Sequence, residues 1–540
     1  MLYGLLFTLI KSTNDTLYII SSILLIIYIV SLVMVFFYSL AQLNLLFNYL
    51  KAKKNEKKGL DNSPKFDLNN PDEVPYVTIQ LPVFNEKYVM KRLLKNIALL
   101  DYPREKLEIQ VLDDSTDETV IKTKERVEKL ADTGLDIVHI TRTNRQGFKA
   151  GALKEGLAIA KGELIAIFDS DFLPDPDWLH KTIPYFKDEK IGVVQTRWSH
   201  INRNYSLLTK IQAFALDAHF ILEQMGRNSK GHFINFNGTA GVWRKECIYD
   251  AGNWEGDTLT EDLDLSYRAQ LKGWQFKYLV DVETPAELPV VISAARSQQF
   301  RWNKGGAENF QKMFKKIIHS DLSFKTKAHC VLHLLNSTMF LNVFIVGVLS
   351  VPMLYIKNYF DDFKGYFIAM SFFGISTLIF FICYWYMYKH VQKKSGFKAF
   401  VQYIRTFFTF FSVAMGLSLN NSGAVIEGHR RKRSEFVRTP KFNIKSIDGW
   451  KKNKYIRKKP SKNVVYEGFL CLYFLFGIAS AWFVRYIGQN KLKSYDKDCF
   501  FGLAPCDAWY IPFDSGLIIF HLMLFLGFGF IFYTSVFRKV

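Results

Sequence analysis

Four stretches of this 540-residue chain, 17–46, 331–356, 366–388 and 511–536, each hold the roughly 20 apolar residues a helix needs to cross a hydrocarbon core. A fifth, 466–487, comes close. The run 407–419 covers only about 20 Å as a helix and is bracketed by Arg405, Asn420 and Asn421, so it reads as a helix lying in the membrane interface. The first stretch is too long for the apolar core of a signal peptide, and no small-residue cleavage site follows it. With 22 % charged residues and a mean hydropathy of +0.02, the chain cannot be membrane helices alone. Bulky apolar residues are too abundant for intrinsic disorder, and six cysteines are too few for a disulfide-stapled secreted fold.

Orientation follows from the Lys and Arg beside the spans. Lys51, Lys53, Lys54, Lys57 and Lys58 follow the first span, Lys389, Lys393, Lys394 and Lys398 the third, and Arg538 and Lys539 the last. All fall on one side if five helices span, which puts the N-terminus outside and the globular part in the cytosol. Residues 427–462 carry 14 Lys or Arg against 3 Asp or Glu, a net +11 of the chain's +20. No nucleic-acid-binding signature accompanies this charge. The loop reads as a positive face on anionic lipid or as a cradle for an anionic nucleotide.

Between about 75 and 320 the pattern changes. Val77-Thr-Ile-Gln-Leu81, Leu107-Glu-Ile-Gln-Val-Leu112, Asp136-Ile-Val-His-Ile140 and Leu164-Ile-Ala-Ile-Phe168 are short β-rich runs. They are separated by helical stretches at 87–100, 117–131 and 149–161. That alternation predicts an α/β domain around a largely parallel sheet, in which ligands bind beyond the carboxyl ends of the strands. Three of these ends run into polar or acidic clusters: Leu81-Pro-Val-Phe-Asn-Glu86, Leu112-Asp-Asp-Ser-Thr-Asp117 and Phe168-Asp-Ser-Asp171.

Asp169 and Asp171 offer two hard oxygen donors suited to Mg2+ or Mn2+, although such a pair also occurs in solvated turns and caps. Thr260-Glu-Asp262 precedes a helical pattern that Thr260 or Asp262 could simply cap. Gln298-Gln-Phe-Arg-Trp302 could be no more than an amphipathic helix start. The combination is what distinguishes them. In order, Asp113-Asp114, Asp169-Ser-Asp171, Thr260-Glu-Asp262 and Gln298-x-x-Arg301-Trp302 resemble the D, D, D, Q-x-x-R-W signature of family 2 glycosyltransferases, especially the processive cellulose, chitin and hyaluronan synthases. The runs Lys149-Ala-Gly-Ala-Leu-Lys-Glu-Gly156 and Asn235-Phe-Asn-Gly-Thr-Ala-Gly241 are similar to those of plant cellulose-synthase-like mannan and glucomannan synthases. Phe436-Val-Arg-Thr-Pro-Lys441 resembles the F-x-V-T-x-K gating loop of cellulose synthases, with Arg438 in place of the usual Val.

The resemblance implies an α/β GT-A (Rossmann-like) cytosolic domain joined to transmembrane helices, and an inverting transfer from a UDP- or GDP-hexose. Asp113 and Asp114 would hold the nucleoside, Lys149, Asp169 and Arg301 the rest of the donor, and Asp169 and Asp171 a Mg2+ or Mn2+ ion. Asp262, with Glu261 beside it, would be the general base, and Gln298 and Trp302 would bind the acceptor. Phe436, Arg438, Thr439 and Lys441 would form the gating loop. The product would be a β-linked glucan- or mannan-like polysaccharide leaving through the helices, with His333, Asn336 and Asn342 facing the channel. The alternatives are addition of one sugar to a lipid, as by ceramide glucosyltransferases, and a catalytically dead scaffold.

The expected organisation is a membrane helix in 1–60, the catalytic domain in 61–325, two spans in 326–395, the interfacial helix and basic gating loop in 396–465, and two spans in 466–540. Growing glycan or lipid, and the lipids of a plasma or Golgi-type membrane, are the other expected partners, with no nucleic acid. Cys499 and Cys506 share an external loop on this reading, where an oxidising exterior would favour a disulfide.

Overall fold

The computed structural model describes residues 2–56, 66–68, 70, 73–434, 437–443, 453–456, 461–489 and 515–537. Phe436, the Cys499–Cys506 loop and the terminal Arg538 and Lys539 lie outside them. The four predicted strands form as β1 (Val77–Val83), β2 (Leu107–Asp113), β3 (Ile137–Thr141) and β4 (Leu164–Ile167), all parallel to one another. Three further strands, β5 (Ile191–His200), β6 (Gly241–Arg244) and β7 (Gln275–Ala286), complete a seven-stranded sheet in the order β3-β2-β1-β4-β6-β5-β7. β6 alone runs antiparallel, between β4 and β5.

The central strands β1, β2 and β4 are buried on both faces. Their polar residues are paired across strands: the register sets Thr78 opposite Glu108 and Gln80 opposite Gln110. The Thr78 hydroxyl donates to Glu108 at 2.6 Å, and the Gln80 amide to Gln110 at 3.0 Å. Along β4 the pleat sends Leu164 and Ala166 into a core with Leu93, Leu94 and Trp178, and Ile165 and Ile167 into a second core. That second core is continuous with Leu46 and Tyr49 of the first helix and with Met387, Tyr403 and Phe407. The α/β domain and the apolar helices therefore share one interior.

Six helices among the described residues are long and apolar enough to cross a membrane: Asp15–Asn55, Thr338–Tyr359, Lys364–Gln392, Phe397–His429, Asn463–Ala481 and Gly516–Val536. Two differ from the sequence expectation. The apolar run 331–356 is broken: one helix ends at Leu334 and the next begins at Thr338, so His333 and Asn336 precede the spanning helix. The run 407–419 is the middle of a single 33-residue helix, Phe397–His429. It continues past its apolar segment because groups on the helix Ile292–Ile318 of the α/β domain receive its polar end. The Asn420 amide donates to Arg296 O and the Asn421 amide to the Gln299 carboxamide, while His429 meets Gln311 at 3.1 Å. Earlier turns of the same helix pack Phe410 on Phe214, and Val413 and Leu417 on Leu208 and Ile211. The helix thus touches the α/β domain along most of its length.

Its other face meets the last helix through paired glycines. A Cβ on Gly527 would collide with Ser412 O, and one on Gly416 with Gly527 O, a close backbone approach of the kind small residues permit between membrane helices. Gly527→Val should therefore lower the melting temperature of the detergent-purified protein by about 5 °C or more. Gly365→Val, where nothing lies within 4 Å of the added Cβ, should leave it unchanged.

Candidate active site

The carboxyl ends of β1, β2 and β4 open onto one cavity. Asp114, Asp169, Asp171, Lys149, Glu261, Asp262, Gln298, Arg301, Trp302, Arg438, Thr439 and Lys441 all line it. Asp113 does not join them: its carboxylate faces His139 Nε2 at 2.9 Å and accepts the Ser115 N–H at 2.9 Å. Asp113 is the last residue of β2, whereas Asp114 follows the strand and lines the cavity. Asp113 ties β2 to β3, and Asp114 accepts two hydrogen bonds from the Arg142 guanidinium, one of them 2.7 Å long.

Each carboxylate on the floor of the cavity has a cation from elsewhere in the chain. Lys149 Nζ lies 2.6 Å from Asp169 and donates to Gly238 O at 2.8 Å. Burial works against the Lys149 charge, but Asp169 and Glu261 more than offset it and raise its pKa. Asp171 is almost wholly buried and lies 2.7 Å from Lys441 Nζ. The Asn237-Gly-Thr loop closes the wall. The Asp169 N–H donates to Thr239 Oγ1 at 2.8 Å, and Gly238 has a φ of +79°. A Cβ at Gly238 would lie 3.0 Å from Asp262 Oδ2, so glycine serves both the backbone turn and the approach to that carboxylate.

Glu261 and Asp262 start the helix Glu261–Leu271, but Thr260 makes no side-chain cap. Its hydroxyl instead accepts from the Asn309 amide at 2.9 Å, and Gly305 leaves room for it. Thr260 is therefore held by the helix Ile292–Ile318, which also carries Gln298, Arg301 and Trp302. Burial, then the charge of Glu261, raises the Asp262 pKa; burial likewise raises that of Glu261, against the pull of Lys149. Burial lowers Arg301 to about 10, offset in part by Glu261 and Asp169, so it stays charged at neutral pH.

The basic loop is seated in the cavity. Arg438 pairs with the buried Glu86 at 2.8 Å and lies over the Tyr455 ring at 4.3 Å. Thr439 Oγ1 accepts from Arg301 at 2.8 Å. The Phe442 and Asn443 N–H groups donate to the two oxygens of Glu287 at 2.9 and 3.0 Å. Glu287 and the Phe84–Arg145 pair went unread in the sequence. Arg145 stacks on the Phe84 ring at 3.4 Å, and both line the cavity. The available signal was an aromatic residue directly after a strand end facing an arginine ahead of the Lys149 helix.

Trp302 also borders a second cavity of about 310 Å3, which shares Trp198, Asn237, Asp262 and Gln298 with the first. Its far wall includes His219, His333, Asn336, Ser337 and Phe340. Asn342 lines neither cavity and donates to Thr338 O within its own helix. A separate acidic cluster, Glu255, Asp257 and Asp264, encloses the Lys312 ammonium at 2.6 to 2.8 Å, outside both cavities.

Residues 75–305 match the family model described as glycosyltransferase like family 2. That segment is similar to the domain this family model describes. It contains the seven-stranded α/β sheet, the three aspartate motifs and Gln298 to Trp302. Glucomannan 4-beta-mannosyltransferase 1 of Oryza sativa subsp. japonica is 46 % identical over 252 residues, 46 % of this chain and 48 % of that protein. Glucomannan 4-beta-mannosyltransferase 1 of Cyamopsis tetragonoloba is 42 % identical over 285 residues, 52 % of this chain and 54 % of that protein. This chain spans about half the length of these curated relatives. Among solved structures, the mannosyltransferase PcManGT from Pyrobaculum calidifontis, in complex with GDP-Man and Mn2+, aligns over 76 % of this chain and 100 % of its own, at 20 % identity and a TM-score of 0.49.

Proposed function

We propose that this chain is a membrane-embedded inverting glycosyltransferase that builds a β-linked polysaccharide from a nucleotide diphospho-sugar. The observation that carries the reading is the convergence of Asp114, Asp169, Asp171, Asp262, Arg301 and Trp302 on one cavity, and its continuity with a second cavity walled by aromatic and amide side chains. The first suits a charged donor. Aromatic faces with amide edges suit a sugar chain, because the C–H face of a sugar stacks on a ring while its hydroxyls take hydrogen bonds. The glucomannan 4-beta-mannosyltransferase names of the relatives support a β-1,4-mannan- or glucan-like product.

In this mechanism Asp262 takes the proton of the acceptor hydroxyl as that oxygen attacks the anomeric carbon of the donor. Lys149, Arg301 and Lys441 bind the diphosphate, Phe84 and Arg145 flank the nucleobase, and Trp302 supports the terminal sugar. Asp169 and Asp171 fit a hard divalent cation: both are carboxylates on the cavity floor, and each already draws an ammonium group to within 2.7 Å. A Mg2+ or Mn2+ ion there would neutralise charge on the departing diphosphate. The seated loop covers the donor and excludes water. The catalytic domain faces the cytosol, a reading supported by Lys53, which lies 3.1 Å from His390 and so brings the basic ends of the first and third apolar helices together. The Phe397–His429 helix lies along the membrane interface, as its contacts with the catalytic domain favour.

Purified protein supplied with a panel of UDP- and GDP-sugars should yield long chains alongside unused acceptor. A ladder beginning at one sugar on a lipid would favour lipid glycosylation, and no transfer from any donor would overturn the reading. Transfer should vanish in EDTA and in Asp171→Ala; full activity in EDTA would remove the metal. Because Asp262 must be ionised to act and its pKa is raised, transfer should decline as pH falls through that raised value. Asp262→Asn should abolish this limb and lower kcat by about 10²-fold or more, with nucleotide diphosphate binding retained.

A further inference from the structure

Beside the second cavity a buried polar network joins the first apolar helix to the loop that abuts Asp262. Its centre is Glu223, on the π-helical turn Ala218–Gln224; such turns are frequent at functional sites. One Glu223 oxygen faces the Gln42 amide at 2.8 Å and Tyr38 OH at 3.1 Å, both from the first helix. The other faces Arg227 at 2.9 Å and His219 Nδ1 at 3.2 Å. Burial opposes ionisation of Glu223, but Arg227 and His219 outweigh it and hold its carboxyl well below the usual range. An ionised carboxylate only accepts hydrogen bonds, so His219 carries its proton on Nδ1.

That leaves His219 Nε2 as an acceptor, and it lies 3.0 Å from Asn237 Nδ2. The rest of Asn237 agrees: its side-chain oxygen accepts from Gln224 at 2.7 Å, and its backbone N–H donates to Gln195 at 3.0 Å. One proton arrangement satisfies these contacts. Asn237 precedes Gly238, whose carbonyl holds Lys149 and whose Cα faces Asp262. His219 lines the second cavity but not the first.

We propose that His219, oriented by Glu223 and through it by Tyr38 and Gln42 of the first helix, is a positioning residue that sets the Asn237-Gly238 loop against Asp262. The inference rests on the transferase reading for its effect on rate, and on geometry alone for its effect on the loop. Loss of the His219 acceptor removes the partner that fixes the half-buried Asn237 amide between the two cavities, so the loop shifts and Asp262 loses its alignment with the acceptor hydroxyl.

The test compares full-length wild type, His219→Leu and His219→Gln, the last of which restores an acceptor oxygen. Hydrogen exchange of the peptide spanning 235–241 should accelerate about 10-fold in His219→Leu and return towards wild type in His219→Gln. With the donor saturating, kcat for transfer should fall about 10-fold or more in His219→Leu and recover in His219→Gln, while the Kd for nucleotide diphosphate and the melting temperature stay near wild type. Unchanged exchange in His219→Leu would overturn the inference whether or not sugar is transferred, and so would equal damage in both variants. A wild type that transfers no sugar would instead overturn the proposed function.

Discussion

Among the described residues, seven carboxylates line one cavity: Glu86, Asp114, Asp169, Asp171, Glu261, Asp262 and Glu287. Buried charge on this scale must be paired, and the chain pairs it with cations drawn from distant segments. Arg142 serves Asp114, Lys149 serves Asp169, Arg92 serves Glu287, Arg438 serves Glu86 and Lys441 serves Asp171. Arg301 stands near Glu261 and Asp169 from the helix that carries Trp302. The loop beyond residue 436 is held in the cleft by the same requirement. On the proposed reading a donor diphosphate would bring negative charge of its own, and the cations that seat the loop would also bind it.

The apolar helices take part in this arrangement. Arg296, at the start of the Trp302 helix, pairs with Glu467 and meets Ser535 at 2.9 Å, so two apolar helices grip the helix that supplies Gln298, Arg301 and Trp302. The Phe397–His429 helix lies beside it and leads straight into the basic loop. The core that begins under β4 ends among Met387, Tyr403 and Phe407. Movement of the helices would therefore reach the site through packed side chains.

The first half of the sheet was legible because β1 to β4 are short runs rich in Val, Ile and Leu that alternate with helices; each forms within two residues of its expected limits. β5 to β7 were not, since one of them runs antiparallel and is only four residues long, and β5 carries Gln195, Thr196 and Arg197 in its interior. The aspartate motifs, Lys149, Arg301 and Trp302 converge as the ordered signature implied. Asp113 lies outside the cavity lining and bonds to His139 instead, because a pair of adjacent acids carries no sign of which one turns inward. The Phe397–His429 helix was underestimated because hydropathy registers apolar residues, whereas Asn420 and Asn421 continue the helix by bonding to another part of the protein. Glu223 and His219 looked like ordinary helix residues, and the role proposed for them depends on Tyr38 and Gln42, which are 185 and 181 residues from Glu223.

The proposed reaction is a single displacement, with Asp262 as base and the acceptor hydroxyl as the attacking group. Its stereochemistry is open to direct measurement. The donor that reacts is labelled with carbon-13 at its anomeric carbon, and the one-bond carbon–proton coupling of the new linkage is read by NMR before any further processing. An α-linked donor should give a β-linkage throughout, because one displacement inverts the anomeric carbon. Retention of the α configuration would require a second displacement or a covalent sugar intermediate, and would contradict the account.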